Sequence, residues 1–231
     1  MSCCAPKGYR ELFGERAARR DAKRYRRKGL DDTAREMVAF LRGRGLDGAS
    51  VLEIGGGVGA IGLELLKAGA GRAVEVELSP SYERTAEELV HELGFEGRVE
   101  RRLGDVVVEG DTVPAADAVV MHRVVCCYPD VDALVGAAGE RTRRHLVLSF
   151  PRDRGLVRAG RRVINLWFRL RRWDFRFHLH QRGAILAAAE REGLRPVLEH
   201  QGAIWQVAAL ERTSSQRSVG SFPRGPRSSI P

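Results

Sequence analysis

One stretch constrains this chain more than any other. Val51-Leu52-Glu53-Ile54 runs directly into Gly55-Gly56-Gly57-Val58-Gly59, and a helical pattern starts at Ala60. A short apolar run of this kind reads as a buried strand. Glycines let the backbone turn sharply and approach a ligand where a Cβ would clash. The helix that follows offers unsatisfied N–H groups to a polar ligand at its first turn. The rest of the chain repeats the rhythm. Ala73–Leu78, Val99–Leu103, Asp117–Met121 and His145–Phe150 read as strands. Between them, Ala60–Ala68, the segment from Ser79-Pro80 to about His91, and Val131–Gly139 read as helices. This alternation predicts an α/β, doubly wound, mostly parallel sheet. A helix over Gln181–Glu192 is followed by Pro196–Gln201 and Ile204–Glu211, joined at Gly202. These last two read as a C-terminal antiparallel hairpin strand pair, which brings the sheet to seven strands.

Three segments flank or interrupt the pattern. Residues 1–30 read as a basic N-terminal arm with net charge +7. Asp31 and Asp32 then offer N-caps to an amphipathic helix carrying Ala34, Met37, Val38 and Leu41, ended by Gly43 or Gly45. The main domain is expected over 31–211. Inside it, 152–180 is a basic, aromatic insertion, with Val163, Leu166, Trp167, Leu170 and Trp173 near one helical face. Residues 212–231, rich in Ser, Pro, Gly and Arg, read as a disordered tail. The net charge of +9 is concentrated in these segments, so the remainder is acidic. No run of about 18 apolar residues exists, which predicts no transmembrane segment. The opening lacks the apolar stretch of a signal peptide. Four cysteines in two adjacent pairs, Cys3-Cys4 and Cys126-Cys127, do not make a disulfide framework. A reducing, cytoplasmic setting is expected.

Two ligands compete for the glycine loop. Gly57-Val58-Gly59-Ala60-Ile61-Gly62 fits the G-x-G-x-x-G dinucleotide fingerprint, with Glu77 about 20 residues on. The same stretch, taken from Glu53 as Glu-x-Gly-x-Gly-x-Gly, resembles motif I of the class I S-adenosylmethionine-dependent methyltransferases, a Rossmann-like family. Val74-Glu75-Val76-Glu77-Leu78-Ser79-Pro80 resembles that family's Asp/Glu-x-Ser-Pro at the end of the second strand. Gly104-Asp105 ends the third strand, a position for which the dinucleotide fingerprint asks nothing. The resemblance implies S-adenosyl-L-methionine as cofactor. It puts Gly55, Gly57 and Gly59 at the methionine end with Glu53 supporting it. It puts Glu77 at the ribose hydroxyls and Asp105 at the adenine, with Leu78, Gly104 and Val106 as further cofactor-binding residues. A carboxylate at Glu77 suits a dinucleotide ribose as well.

In that family the loop after the fourth strand borders the reacting methyl. Here it reads Met121-His122-Arg123-Val124-Val125-Cys126-Cys127-Tyr128-Pro129-Asp130. It holds neither Asn/Asp-Pro-Pro-aromatic nor Pro-Cys, which argues against methylation of DNA bases. His122 is the candidate catalytic base, or a polar contact to the cofactor, because imidazole titrates near working pH. Tyr128, Cys126, His178 and His180 are candidate substrate-lining residues. No metal is assigned. Four thiolates from Cys3-Cys4 and Cys126-Cys127 would suit zinc or a soft metalloid, but adjacent cysteines lack the usual Cys-x₂-Cys spacing.

The C-terminal half is loosely similar to the magnesium-protoporphyrin O-methyltransferases. The likeness lies in Leu148-Ser149-Phe150-Pro151 at a strand end, a long insertion, His178-x-His180, and a helix leading to the hairpin. It implies O-methylation of a small substrate, with the arm and the insertion as lids. A small-molecule methyltransferase is therefore the expected function. An RNA methyltransferase using the basic segments, or a catalytically inactive cofactor-binding relative, are the alternatives. The insertion also suits peripheral contact with a membrane surface.

Overall fold

β1 (Ser50–Ile54) is buried along its whole length and forms the hinge of the architecture. In the computed structural model, which describes residues 9–213, it pairs in parallel with both β2 (Arg72–Glu77) and β4 (Ala116–His122). β2 in turn carries β3 (Val99–Leu103) on its outer side. β4 carries β5 (Thr142–Pro151). The strand that enters antiparallel to β5 is β7 (Trp205–Arg212), and β6 (Leu194–Gln201) closes that edge, antiparallel to β7. The order is β3-β2-β1-β4-β5-β7-β6. This is the doubly wound, mostly parallel seven-stranded sheet with an antiparallel hairpin expected from the sequence. The chain leaves β1 in one direction for β2 and β3 and in the other for β4, so a crevice opens between the carboxyl ends of β1 and β4.

Nine helices cover the sheet within the described residues. They are α1 (Tyr9–Leu12), α2 (Glu15–Lys28), α3 (Asp32–Arg42), α4 (Ala60–Lys67), α5 (Glu83–Glu92), α6 (Val106–Glu109), α7 (Val131–Glu140), α8 (Gly155–Leu170) and α9 (Arg182–Arg191). Successive side chains of a strand face opposite sides, and the core divides accordingly. Val51, Ala118, Val120 and Val147 pack with Met37, Leu41, Ile61 and Leu65 of α3 and α4. Leu52, Val119, Met121, Leu146 and Leu148 pack with Leu134, Val135, Ile185 and Ala189 of α7 and α9. Burying each such aliphatic side chain contributes roughly 1.5–3 kcal/mol.

Two segments outside the βα rhythm also fold. Over residues 9–28 the arm forms α1 and α2, and α2 buries Ala17, Ala18, Ala22 and Tyr25 against Leu63, Tyr82 and Leu89. Its small residues recur on one face among arginines, so it packs closely although its mean polarity is high. The insertion forms α8, but its apolar positions Val163, Leu166, Trp167 and Leu170 face outward, and only Phe168 is buried. Cys3-Cys4 and residues 214–231 of the expected tail lie outside the described residues. Among the described residues no helix is long and apolar enough to cross a membrane.

Candidate functional site

The crevice holds two adjoining cavities, one of about 300 Å³ and one of about 60 Å³. Tyr9, Gly55, Val124 and Cys127 line both. The larger is walled by the glycine loop, Glu53, Glu77 and His122, and roofed by α1 and α2. The smaller is walled by Leu78, Gly104, Asp105, Val106, Tyr128 and Leu134.

The loop owes its shape to residues without side chains. Gly55, Gly57 and Gly59 all have φ between 60° and 74°. A Cβ on Gly55 would come within 2.5 Å of Val124, and one on Gly59 would overlap the Glu75 carboxylate. Only glycine satisfies both the backbone and the space there. The loop also rests on a buried charge cluster that the sequence reading did not single out. Glu53 of β1, Glu75 of β2 and Arg101 of β3 are neighbours in register across three strands. Glu53 accepts the Gly62 N–H at 2.6 Å. Arg101 is ion-paired with Glu75, pairs with Glu83 at 2.9 Å, and donates to the Gly57 carbonyl at 3.1 Å. Burial, and then the neighbouring Glu75, push the Glu53 carboxyl up to about 8, so it is mostly protonated at neutral pH. Its signal in the sequence was the alternation Val74-Glu75-Val76-Glu77, which puts both acids on one strand face.

Glu77 ends β2 between the two cavities and is almost fully buried. Its carboxylate accepts the N–H groups of Gly57 at 2.9 Å and Ser79 at 2.8 Å, and the Tyr9 hydroxyl approaches at 3.4 Å. Burial raises its pKa against the pull of those two backbone donors. Asp105 caps α6 through the Val107 N–H at 2.9 Å and accepts the Tyr128 hydroxyl at 3.1 Å. Both carboxylates keep acceptor capacity on the cavity side, since each carries about four lone-pair sites.

His122 ends β4, beside Ser149 in the register of β5. Its Nδ1 meets the Ser149 hydroxyl at 3.0 Å and its Nε2 meets Asp31 at 3.3 Å. Ser149 also accepts the Arg123 N–H at 3.0 Å, so its proton is directed to Nδ1 when the imidazole is neutral. Asp31 is the N-cap of α3, as expected, and also pairs with Arg123 at 3.1 Å. Burial opposes its ionisation, but hydrogen bonds from His122 and the Ala34 N–H hold its carboxyl well below the usual range. The Asp31–His122–Ser149 line is not a hydrolase triad, because Ser149 is fully buried and touches neither cavity.

The remaining candidates divide. Tyr128 lines the smaller cavity. Cys127, rather than Cys126, faces the cavities, since Cys126 packs into the core beside Val125. Their sulfurs lie 3.8 Å apart as free thiols. His178 and His180 do face the same way, with stacked rings 5.6 Å apart. They line neither cavity. The His178 N–H is held by the Cys126 carbonyl at 2.7 Å, and the His180 ring bonds the Tyr128 carbonyl at 2.9 Å. Both brace the outside of the loop after β4. Among the described residues no group of three or more His, Cys, Asp or Glu could hold a metal. Tyr9, Phe13, Arg20 and Arg24 reach the larger cavity from α1, α2 and the turn between them, all within the arm that the resemblance implies as a lid.

Comparison with solved structures places this geometry. The chain is similar to magnesium protoporphyrin IX methyltransferase from Synechocystis with bound SAH, at TM-score 0.71 and 18% identity, over 88% of this chain and 98% of that one. It is similar to an O-methyltransferase family protein from Burkholderia thailandensis, at TM-score 0.68 and 18% identity, over 92% of this chain and 65% of that one. It is also similar to a TehB-like SAM-dependent methyltransferase from Corynebacterium glutamicum, at TM-score 0.59 and 19% identity, over 86% and 99%. No protein-family model matches the chain, and no curated protein matches its sequence. The fold is that of the class I methyltransferases.

Proposed function

We propose that this protein transfers a methyl group from S-adenosyl-L-methionine to a small molecule, most simply to an oxygen atom. The observation that carries the reading is the set of strand ends around one crevice. An acid closes β2, Gly-Asp follows β3, and three left-handed glycines follow β1. The residues fit such a ligand. Asp105, Gly104, Val106 and Leu78 line a narrow, largely apolar pocket suited to a flat purine with one polar edge. Glu77 presents its carboxylate between the cavities, where two ribose hydroxyls would be accepted. The Gly55–Gly59 backbone and Glu53 border the larger cavity, suited to the amino-acid end. A dinucleotide is disfavoured because Gly104 and Asp105, at the end of β3, line the smaller cavity, a position for which the dinucleotide fingerprint asks nothing.

When bound, S-adenosylmethionine supplies a methyl already activated on a sulfonium. The chain then has to orient the acceptor and exclude water. Tyr9, Phe13 and Val124 supply apolar wall, and Arg20 and Arg24 favour an acceptor that carries an anionic group. Neutral His122 donates from Nε2 to the ionised Asp31 and accepts the Ser149 hydroxyl at Nδ1, so neither ring nitrogen is free to take a proton, and the histidine serves as a polar contact on the larger cavity. A carboxylate acceptor would need no proton removed.

The test is calorimetric titration with S-adenosylmethionine, its demethylated product and NAD, followed by a screen of hydroxylated and carboxylated small molecules with methyl-labelled donor. Micromolar binding of the adenosyl ligands and labelled product would support the reading. Binding of NAD alone would return the loop to the dinucleotide fingerprint. Binding without transfer to any acceptor would favour the inactive relative.

A further inference from the structure

We propose that α8 is an in-plane docking helix for an anionic bilayer surface. The helix is 16 residues long, about 24 Å. Leu156, Val163, Leu166, Trp167 and Leu170 fall on one stripe at helical spacing and are 83%, 69%, 56%, 42% and 75% exposed. Of the ten large exposed hydrophobics among the described residues, six lie on this helix, so the patch is clustered rather than scattered. The opposite side holds α8 to the body. Phe168 is fully buried against Phe175 and Phe177, and the Asn165 amide exchanges two hydrogen bonds of 2.9 Å with the Phe177 backbone. The exposed stripe is therefore not a core face left unfolded. It is held outward.

The charges say what covers it. Arg158, Arg162 and Arg169 run along one flank of the stripe, with Arg154 before the helix and Arg171 and Arg172 after it. Arg158 pairs with Asp153, and Arg171 lies over the Trp167 ring. Arg154, Arg162, Arg169 and Arg172 meet no carboxylate among the described residues. Apolar side chains that enter the acyl boundary, with arginines reaching headgroup phosphates beside them, are the pattern of an interfacial helix. An RNA would use the arginines but would leave Leu156, Leu166 and Leu170 in water. A second copy would set like charge against like, and a helix face of this length offers roughly 250 Å², far below the ~800 Å² per partner of a stable dimer. The docked face would also adjoin the site. Phe168 contacts Phe175, whose ring lies 6.0 Å from that of Tyr9 and 5.9 Å from that of Phe13, both on the larger cavity. The inference rests on α8 alone and stands apart from the methyl-transfer reading.

The test is co-sedimentation of the full chain with phosphatidylcholine vesicles, with and without phosphatidylglycerol, alongside tryptophan emission. Anionic vesicles should bind about tenfold more tightly than zwitterionic ones and shift the emission to the blue. The double variant Leu166→Gln/Leu170→Gln changes only exposed positions, so its circular dichroism and melting should match wild type while vesicle affinity falls about tenfold or more. Arg162→Gln/Arg169→Gln should erase most of the preference for anionic vesicles. Four results would overturn the proposal. These are no binding to either vesicle, undiminished binding by the leucine variant (as the basic termini alone would give), displacement of vesicles by a short RNA that the leucine variant binds equally well, or a concentration-dependent dimer abolished by that variant.

Discussion

Glu77 is the residue whose removal tests the site most directly. In the protein the residue is 4% exposed, and its carboxylate accepts two backbone N–H groups, from Gly57 and Ser79. Glu77→Ala orphans both donors, at about 1–3 kcal/mol each, so a loss of a few kcal/mol of stability is expected. The same change removes the acceptor for two ribose hydroxyls. A hydrogen bond to a charged group contributes about 1.5–3 kcal/mol. Losing one or both, partly compensated by water, gives about 2–4 kcal/mol, or roughly 30- to 1000-fold in affinity. Glu77→Gln keeps one acceptor oxygen and should lie between. The assay is calorimetric titration of S-adenosylhomocysteine into wild type and both variants, at a temperature where melting curves show all three folded. Affinity in wild type should also fall as pH is lowered, beginning above the usual carboxylate range, because burial raises the Glu77 pKa and the neutral acid is a poorer acceptor. A folded Glu77→Ala that binds the ligand as tightly as wild type would refute the placement of the ribose.

Three further outcomes follow from the same geometry. Arg101→Met leaves Glu75 buried without its guanidinium and should cost about 3–5 kcal/mol, read as a melting temperature roughly 10 °C lower; adding Glu75→Gln should recover much of it, and an unchanged melting point would remove the cluster from the account of stability. Glu53 has its pKa raised from 4.5 to about 8 by burial and by Glu75, so the folded protein holds a proton that the unfolded chain releases across that window. The contribution of Glu53 to stability should therefore be fully present below about pH 4.5 and decline as pH rises to about 8, and Glu53→Gln should flatten that slope in melting curves. The Tyr9 hydroxyl takes up part of the Glu77 carboxylate that a ribose would use. Tyr9→Phe removes a bond of about 1 kcal/mol and should tighten S-adenosylhomocysteine binding a few-fold; weaker binding would show instead that the hydroxyl contacts the ligand.

The amino-acid sequence by itself determined the βα rhythm, the glycine loop and the acids at the ends of β2 and β3. These are local properties. A buried strand shows as an apolar run, a left-handed turn needs glycine, and Asp31, Asp105 and Asp130 cap the helices that follow them. Even the antiparallel hairpin was legible, from two strand-like runs around Gly202. What tertiary structure decided was which residues meet. Period-2 alternation says that Glu53 and Glu75 leave their strands on particular faces, but not that β2 lies beside β1 and β3 beside β2, which creates the cluster with Arg101. His122 was visible as a strand-end histidine, while its partner Asp31 lies 91 positions away and Ser149 27. The packing of α1 and α2 over the crevice, with Tyr9 on a carboxylate 68 positions away, follows from small residues in a helix whose polarity hid its buried face. Cys127 instead of Cys126 lines the cavities because the single helical turn Val125–Cys127 sends adjacent side chains to different sides, and the segment of His178 and His180 is held outside the loop by the Cys126 and Tyr128 carbonyls. The apolar stripe of α8 was readable as helical spacing, but spacing cannot say whether a stripe faces core or solvent. That depends on Phe168 and Asn165, which fasten the helix by its other side.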